Sequence, residues 1–141
     1  MKEFEILEHT ADIGIAVYGK TKKEVFINAA KGMFYIITEE DAGFKENFSH
    51  NLKLTAENLE NLLVAWLSEL LYLSVTKLVV FNRFEIEELS DYQLNGEIFG
   101  KRIEQSGHKI KREIKAVTYH RLEIKKDEKS GLWRAQVIFD I

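Results

Sequence analysis

Apolar residues between positions 59 and 71 recur at intervals of three and four, and this stripe constrains the fold more than any other feature. Its members are Leu59, Leu62, Leu63, Trp66, Leu67, Leu70 and Leu71. The spacing places all of them on one face of an α-helix, and such a face must be buried. We therefore predict a core helix here, with Trp66 as a packing residue.

A second helix is indicated by Thr21 and Glu24, which have the spacing of a capping box at a helix N-terminus. Apolar residues then keep helical spacing at Phe26, Ala29, Ala30, Met33 and Ile37. The stretch "EEDAG" ends this helix in a loop.

Alternating segments bounded by polar or glycine-bearing breaks predict the strands. They lie at about 2–8, 13–18, 47–55, 78–89, 91–103, 112–125 and 132–140. This order is not the regular strand–helix alternation of a doubly wound sheet. We predict an α+β fold in which two helices pack on one face of a mixed, mainly antiparallel sheet, as a single two-layer domain over residues 1–141.

The composition excludes several classes of protein. The 141 residues include no cysteine, so neither a disulfide framework nor thiol chemistry is available. A net charge of -3 argues against an autonomous nucleic-acid binder, which is normally basic. Because the N-terminus is charged and no apolar run reaches the ~20 residues of a membrane span, we expect a soluble cytoplasmic protein with no membrane partner.

Basic residues are concentrated in the segment 101–126, where nine lysines and arginines stand against three glutamates. Two interpretations remain open. Lysines at a sheet edge discourage strand-to-strand aggregation, and this is the favoured interpretation. Alternatively, the segment is a patch for RNA phosphates or an acidic protein.

Common catalytic motifs are absent. The "GKT" at 19–21 lacks the upstream glycines of a phosphate-binding loop, and no serine lies in a nucleophile elbow. The four histidines are scattered, with none at the spacing of a helical zinc site.

Carboxylates at the two ends of the chain are the remaining candidates for chemistry. Asp12 directly precedes the strand at 13–18, and Asp140 ends the last strand. If Ile141 is the true terminus, its main-chain carboxylate lies one residue beyond Asp140. These oxygens converge if the second and last strands are neighbours, and three carboxylates are ligands for a hard divalent cation. On spacing alone, a turn carboxylate at Asp12 and a surface residue at Asp140 are the favoured alternatives.

The stretch "IKAVTYHRLEI" at 114–124, taken as one strand, places Lys115 and Tyr119 on one face and His120 on the other. Lys115 is a candidate to answer the carboxylates or to hold a phosphate. An edge lysine that extends into solvent is the commoner role, and Tyr119 and His120 are more often residues at the rim of a core.

Four motifs together resemble the archease family: "HTADIG", "LxxLLVAWLSELL", "KAVTYH" and the final "FDI". The resemblance implies a small α+β protein that is not an enzyme but a cofactor of an RNA ligase. That ligase joins a 3′-phosphate or 2′,3′-cyclic phosphate end to a 5′-hydroxyl end in tRNA splicing. Members of the family are expected to promote guanylylation and multiple turnover of the ligase, so that tRNA is a partner only indirectly.

The resemblance also implies site residues. The metal ligands fall on Asp12, Asp140 and the carboxylate of Ile141, and the lysine required for ligase activation falls on Lys115. The implied cofactor is a divalent cation, calcium first, with magnesium or manganese as alternatives. His9, Tyr119 and His120 are candidates for supporting roles.

Three other functions remain open. The family resemblance includes an older proposal, a chaperone-like modulator of a tRNA cytosine methyltransferase. The carboxylates alone would also suit a metal-dependent phosphoesterase. The basic segment 101–126 would suit an RNA-binding or chaperone module whose tRNA affinity depends strongly on salt.

Overall fold

The computed structural model describes residues 2–8, 11–40, 43, 45–103 and 110–141. The elements within these ranges follow the chain in the order β1 (Phe4–Glu8), β2 (Asp12–Gly19), α1 (Lys22–Thr38), β3 (Phe48–Thr55), α2 (Leu59–Lys77), β4 (Val79–Leu89), β5 (Gln93–Arg102), β6 (Ala116–Val117), β7 (Glu123–Lys126) and β8 (Trp133–Asp140). The predicted α+β class, with two helices and antiparallel strands in a two-layer arrangement, is confirmed.

The strands form two sheets, where the sequence predicted one. The first sheet has the order β1-β2-β8-β6, with β7 also paired to β8, and the second has the order β3-β5-β4. All pairings among the described strands are antiparallel, so the expected parallel component is not observed there. Both helices contact strands of both sheets, which share one apolar core.

Helix α1 begins where the capping residues predicted. The hydroxyl of Thr21 accepts a hydrogen bond from the N–H of Glu24 at 3.1 Å, which satisfies a free donor of the first turn. The buried side chain of Asn28 donates to the carbonyl of Tyr18 at 2.7 Å and so ties α1 to the end of β2.

Helix α2 contains the apolar stripe and continues to Lys77, beyond the last residue of the stripe. Trp66 is fully buried, and its indole N–H donates to the carbonyl of Phe26 on α1 at 2.9 Å. The predicted packing role of Trp66 is confirmed. By length and composition alone α2 could cross a membrane, a test that the core helix of a globular protein also passes.

The segment 112–125 is not one strand, and that prediction is wrong. Only Ala116–Val117 and Glu123–Lys126 pair with β8, and the chain turns between them. Arg121 has a left-handed backbone with φ 52°, which no regular strand can include. The alternation of faces predicted for 114–124 therefore fails after β6.

Candidate functional site

Strands β2 and β8 bring the two ends of the chain together. They pair antiparallel over their full length, and Asp12 lies directly opposite Asp140. This adjacency is the condition that the three-carboxylate interpretation required. Side chains of directly opposed residues in a sheet leave the same face and are close neighbours. Two carboxylates are therefore held side by side by the backbone ladder.

Strand β6 completes this end of the sheet on the other side of β8. Ala116 lies opposite Asp140, and the N–H of Lys115 donates to the Asp140 carbonyl at 2.8 Å. The residue after Asp140 is Ile141, which is half-buried and packs against the core. We call Asp12, Asp140, Ile141 and Lys115 the acidic tip.

One oxygen of the Asp12 carboxylate is unsatisfied. Its Oδ1 atom is buried without a hydrogen-bond partner, and no cation of the described part of the chain forms an ion pair with it. Asp140 is exposed and likewise has no ion pair within the described ranges. Like charges directly opposite each other on a sheet are destabilising, and a buried carboxylate without a partner is costly. This arrangement suits a bound cation.

Arg112, a basic residue that lines a cleft with Ile13, is paired with a different carboxylate. Arg112 donates to Glu8 at 2.9 Å, and Glu8 lies opposite Ile13 on the neighbouring strand. These three residues help to line a cleft of about 490 Å³ next to the acidic tip. The Arg112–Glu8 pair spans 104 positions in sequence, so no local pattern could have indicated it.

The donor set is made of hard oxygen ligands, which fit calcium, magnesium or manganese better than a soft metal. The described residues contain no group of three or more His, Asp or Glu side chains placed to hold a metal. The predicted set has two carboxylate side chains, and its third member is a main-chain carboxylate at Ile141. Binding of a metal there stays a prediction.

Lys115 is joined to Asp140 through its backbone N–H. Its side chain is exposed, and among the described residues it forms no ion pair with Asp12 or Asp140. An exposed ammonium that is engaged in no ion pair with these carboxylates is available to a phosphate of a partner. Its role in activation stays a prediction.

Of the supporting candidates, Tyr119 and His120 are exposed in the turn after β6. Tyr119 is 63% exposed, and the N–H of His120 donates to the Thr118 hydroxyl at 3.2 Å. Neither is a core-rim residue packed beneath the sheet, and no contact of either with the carboxylates is observed in the described part of the chain. His9 lies outside the described residues.

The basic segment does not form one continuous sheet face. Lys101 and Arg102 end β5, whereas Lys125 and Lys126 lie on β7 in the other sheet. Lys109 lies outside the described residues. These four charges are therefore divided between the two sheets, and direct RNA binding stays a prediction.

Known proteins similar to this chain match it over nearly its whole length. The profile of the Archease protein family matches residues 4–141. Protein archease from Methanosarcina mazei is 45% identical over 146 residues, covering 99% of this chain and 97% of that protein.

Two solved structures have the same fold. The solution structure of Methanobacterium thermoautotrophicum protein 1598 superposes with a TM-score of 0.82 at 36% identity, covering 100% of both chains. A crystal structure from Thermotoga maritima, described as an archease and possible chaperone, has a TM-score of 0.66 at 23% identity and covers 96% of this chain and 94% of that one. At that identity, the second likeness concerns the fold alone.

Proposed function

The chain belongs to the archease family, and on that premise we propose that it is a non-enzymatic protein cofactor that activates the GTP-dependent 3′-phosphate RNA ligase of tRNA splicing. The observation that supports the proposal is the pair Asp12 and Asp140, held opposite each other with no cation from the described residues between them. Two opposed carboxylates repel each other and lower the stability of the fold unless a cation binds between them.

The proposed ligands are the carboxylates of Asp12 and Asp140 and a main-chain carboxylate at Ile141. When bound, a divalent cation, with calcium as the first choice, supplies positive charge that offsets the repulsion and attracts phosphate oxygens. The buried, unsatisfied Oδ1 of Asp12 is the donor atom most in need of this partner.

The chain itself provides rigidity and position. Asp12 and Asp140 are fixed by the β2–β8 ladder, and β6 fixes Lys115 through its hydrogen bond to the Asp140 carbonyl. A site built on strands holds its groups more precisely than one built on loops. We propose that the acidic tip enters the active site of the ligase, where the Lys115 ammonium contacts a phosphate and favours guanylylation by positioning.

Guanylylation and turnover of the purified ligase, with and without this protein, test the proposal. Asp12→Ala and Lys115→Ala should each reduce the stimulation by about tenfold or more, because each removes a charge from the acidic tip. Extension of the C-terminus by one residue should also weaken stimulation and metal affinity, since it displaces the carboxylate from Ile141. Glu128→Gln, which removes a carboxylate from an exposed turn, is the matched control and should behave as wild type.

Two results would contradict the proposal. One is unchanged stimulation by the extended chain and by Asp12→Ala. The other is hydrolysis of phosphate esters by the isolated protein that Asp12→Ala abolishes, since this would make the tip a catalytic site.

A further inference from the structure

Exposed apolar side chains cluster at the C-terminal end of α2. Val75 is 64% exposed, Leu78 57% and Ile110 46%. All three line a groove of about 180 Å³, which we call the α2 groove. Tyr72, 61% exposed, lies one helical turn before Val75. The rest of the lining is Ile37, Leu71, Ser74, Ile103, Arg112, Glu113 and Ile114. A contiguous apolar patch of this kind is typical of an interaction surface.

Leu78 strengthens this interpretation because its conformation is costly. It ends α2 with a left-handed backbone, φ 56°, a position where glycine is common. Its N–H donates to the Ser74 carbonyl, and its own carbonyl accepts from Ile103 at 2.8 Å. Glycine would meet the backbone requirement at lower cost, and a leucine here instead adds a largely exposed apolar side chain to the groove.

Basic residues adjoin the groove along the chain. Lys77, Arg102 and Lys111 are exposed, and each is the direct chain neighbour of a lining residue. Lys77 and Lys111 form no ion pair within the described part of the chain. Glu113 is the acidic residue of the lining. A complementary ligand has apolar side chains flanked by carboxylates.

The stretch of sequence that joins two lining residues, Ile103 and Ile110, is not of that kind. Residues 104–109, which connect Ile103 to Ile110, lie outside the described residues and have the sequence "EQSGHK". They include no Leu, Ile, Val, Met, Phe, Tyr or Trp, the side chains that fill an apolar groove. The occupant is therefore expected to come from another molecule.

The groove is connected to the acidic tip by a short piece of chain. Ile110, Arg112, Glu113 and Ile114 line the groove, and Lys115 follows directly at the tip. One partner can therefore contact both surfaces at once. We propose that the α2 groove binds an acidic amphipathic segment of the same protein that receives the acidic tip, and so anchors the complex. This inference rests on the proposed function and names the ligase as the source of the segment.

Binding to the purified ligase, without GTP or RNA, tests the inference, with fluorescently labelled wild type and variants. Val75→Ser combined with Leu78→Gly should raise the Kd by about tenfold or more, because the two substitutions remove exposed apolar side chains from the groove. Lys77→Glu combined with Lys111→Glu should weaken binding and reduce its dependence on salt. Glycine suits the left-handed position, so Leu78→Gly alone should not lower the thermal midpoint. A binding loss in the double variant would therefore not come from unfolding at position 78.

Matched controls lie far from the groove in the fold. Tyr92→Ser removes an equally exposed side chain from the turn between β4 and β5, and Lys129→Glu reverses a charge in the turn before β8. Both should bind as wild type.

Each outcome is decisive. Wild-type Kd in the groove variants would overturn the inference and leave the proposed function intact, because the tip is unchanged. Loss of stimulation by Asp12→Ala with retained binding would support both. Absence of ligase binding by the wild type would overturn both. A wild-type dimer that the groove variants dissociate, seen by analytical ultracentrifugation, would show a second copy as the occupant and overturn the inference.

Discussion

At the scale of single residues, the two opposed aspartates are the feature that ordinary folding requirements do not explain. Asp12 and Asp140 are cross-strand neighbours, and Oδ1 of Asp12 is buried without a partner. Removing one of these charges should therefore stabilise the folded state when no cation is present. The same change should remove the capacity of the protein to be stabilised by a cation.

Asp12→Asn should raise the thermal midpoint in EDTA by a few degrees, since relief of a directly opposed like charge is worth up to about 1 kcal/mol. In excess calcium the order should reverse, because only the wild type gains binding free energy. Differential scanning calorimetry under both conditions measures this. A lower midpoint for Asp12→Asn in EDTA would argue that the carboxylate has a structural partner.

A second residue-scale feature is Arg83, which holds the pKa of the Glu46 carboxyl below its ordinary value of 4.5 through a hydrogen bond at 2.8 Å. Because the pKa is lowered by folding, the ion pair stabilises the protein above about pH 4.5, and the contribution is lost as the pH falls. Arg83→Gln should raise the Glu46 pKa toward its ordinary value, as NMR titration of the side-chain carboxyl would show. Lys125→Gln should leave Glu46 unchanged, whereas an unaltered Glu46 in Arg83→Gln would contradict this account.

At the scale of elements, the β4–β5 pair depends on two glycines at irregular points in its register. Gly96 and Gly100 lie opposite Ile86 and Phe81, each just before a shift in the pairing. A Cβ at Gly100 would lie 2.3 Å from the Val80 carbonyl oxygen, and one at Gly96 would lie 2.5 Å from that of Glu85. Backbone atoms cannot move away as a flexible side chain can, so the close approach of these strands requires glycine.

Gly100→Ala should lower the free energy of unfolding by about 1–3 kcal/mol, because the added methyl group must displace a strand. Chemical denaturation measures the change. Gly43→Ala is the control, since nothing lies within 4 Å of its Cβ position. Equal free energies of unfolding for the two variants would contradict this account, since they would show that β4 moves away from the added methyl group without loss of stability.

The elements also show how far the sequence predicts this fold. The α2 stripe and the Thr21 cap are local signals, so both helices were predictable. The segment 112–125 was not, because its break depends on the left-handed Arg121 and on pairing of β6 and β7 to the same partner. The division into two sheets follows from long-range pairing, for which no residue pattern gives the partner.

At the scale of the whole molecule, Asp12 and Asp140 are neighbours because β2 and β8, which are far apart in sequence, pair in one sheet. The sequence indicated Asp12, Asp140 and Lys115 as candidates, and their adjacency depended on β2 and β8 being neighbours. That pairing is observed. The Arg112–Glu8 pair and the α2 groove could not be predicted, because each brings together residues that are far apart in sequence.

Calcium titration by isothermal calorimetry tests the central claim most directly. The wild type should bind one divalent ion, and Asp12→Asn and Asp140→Asn should each weaken the affinity by about 100-fold or more. Loss of a residue that only hydrogen-bonds a metal ligand already costs about 10–100-fold, and loss of a ligand itself costs more. Glu128→Gln should bind as wild type. One-site binding that is equally strong in all four proteins would contradict the claim, and so would the absence of binding by the wild type to calcium, magnesium and manganese.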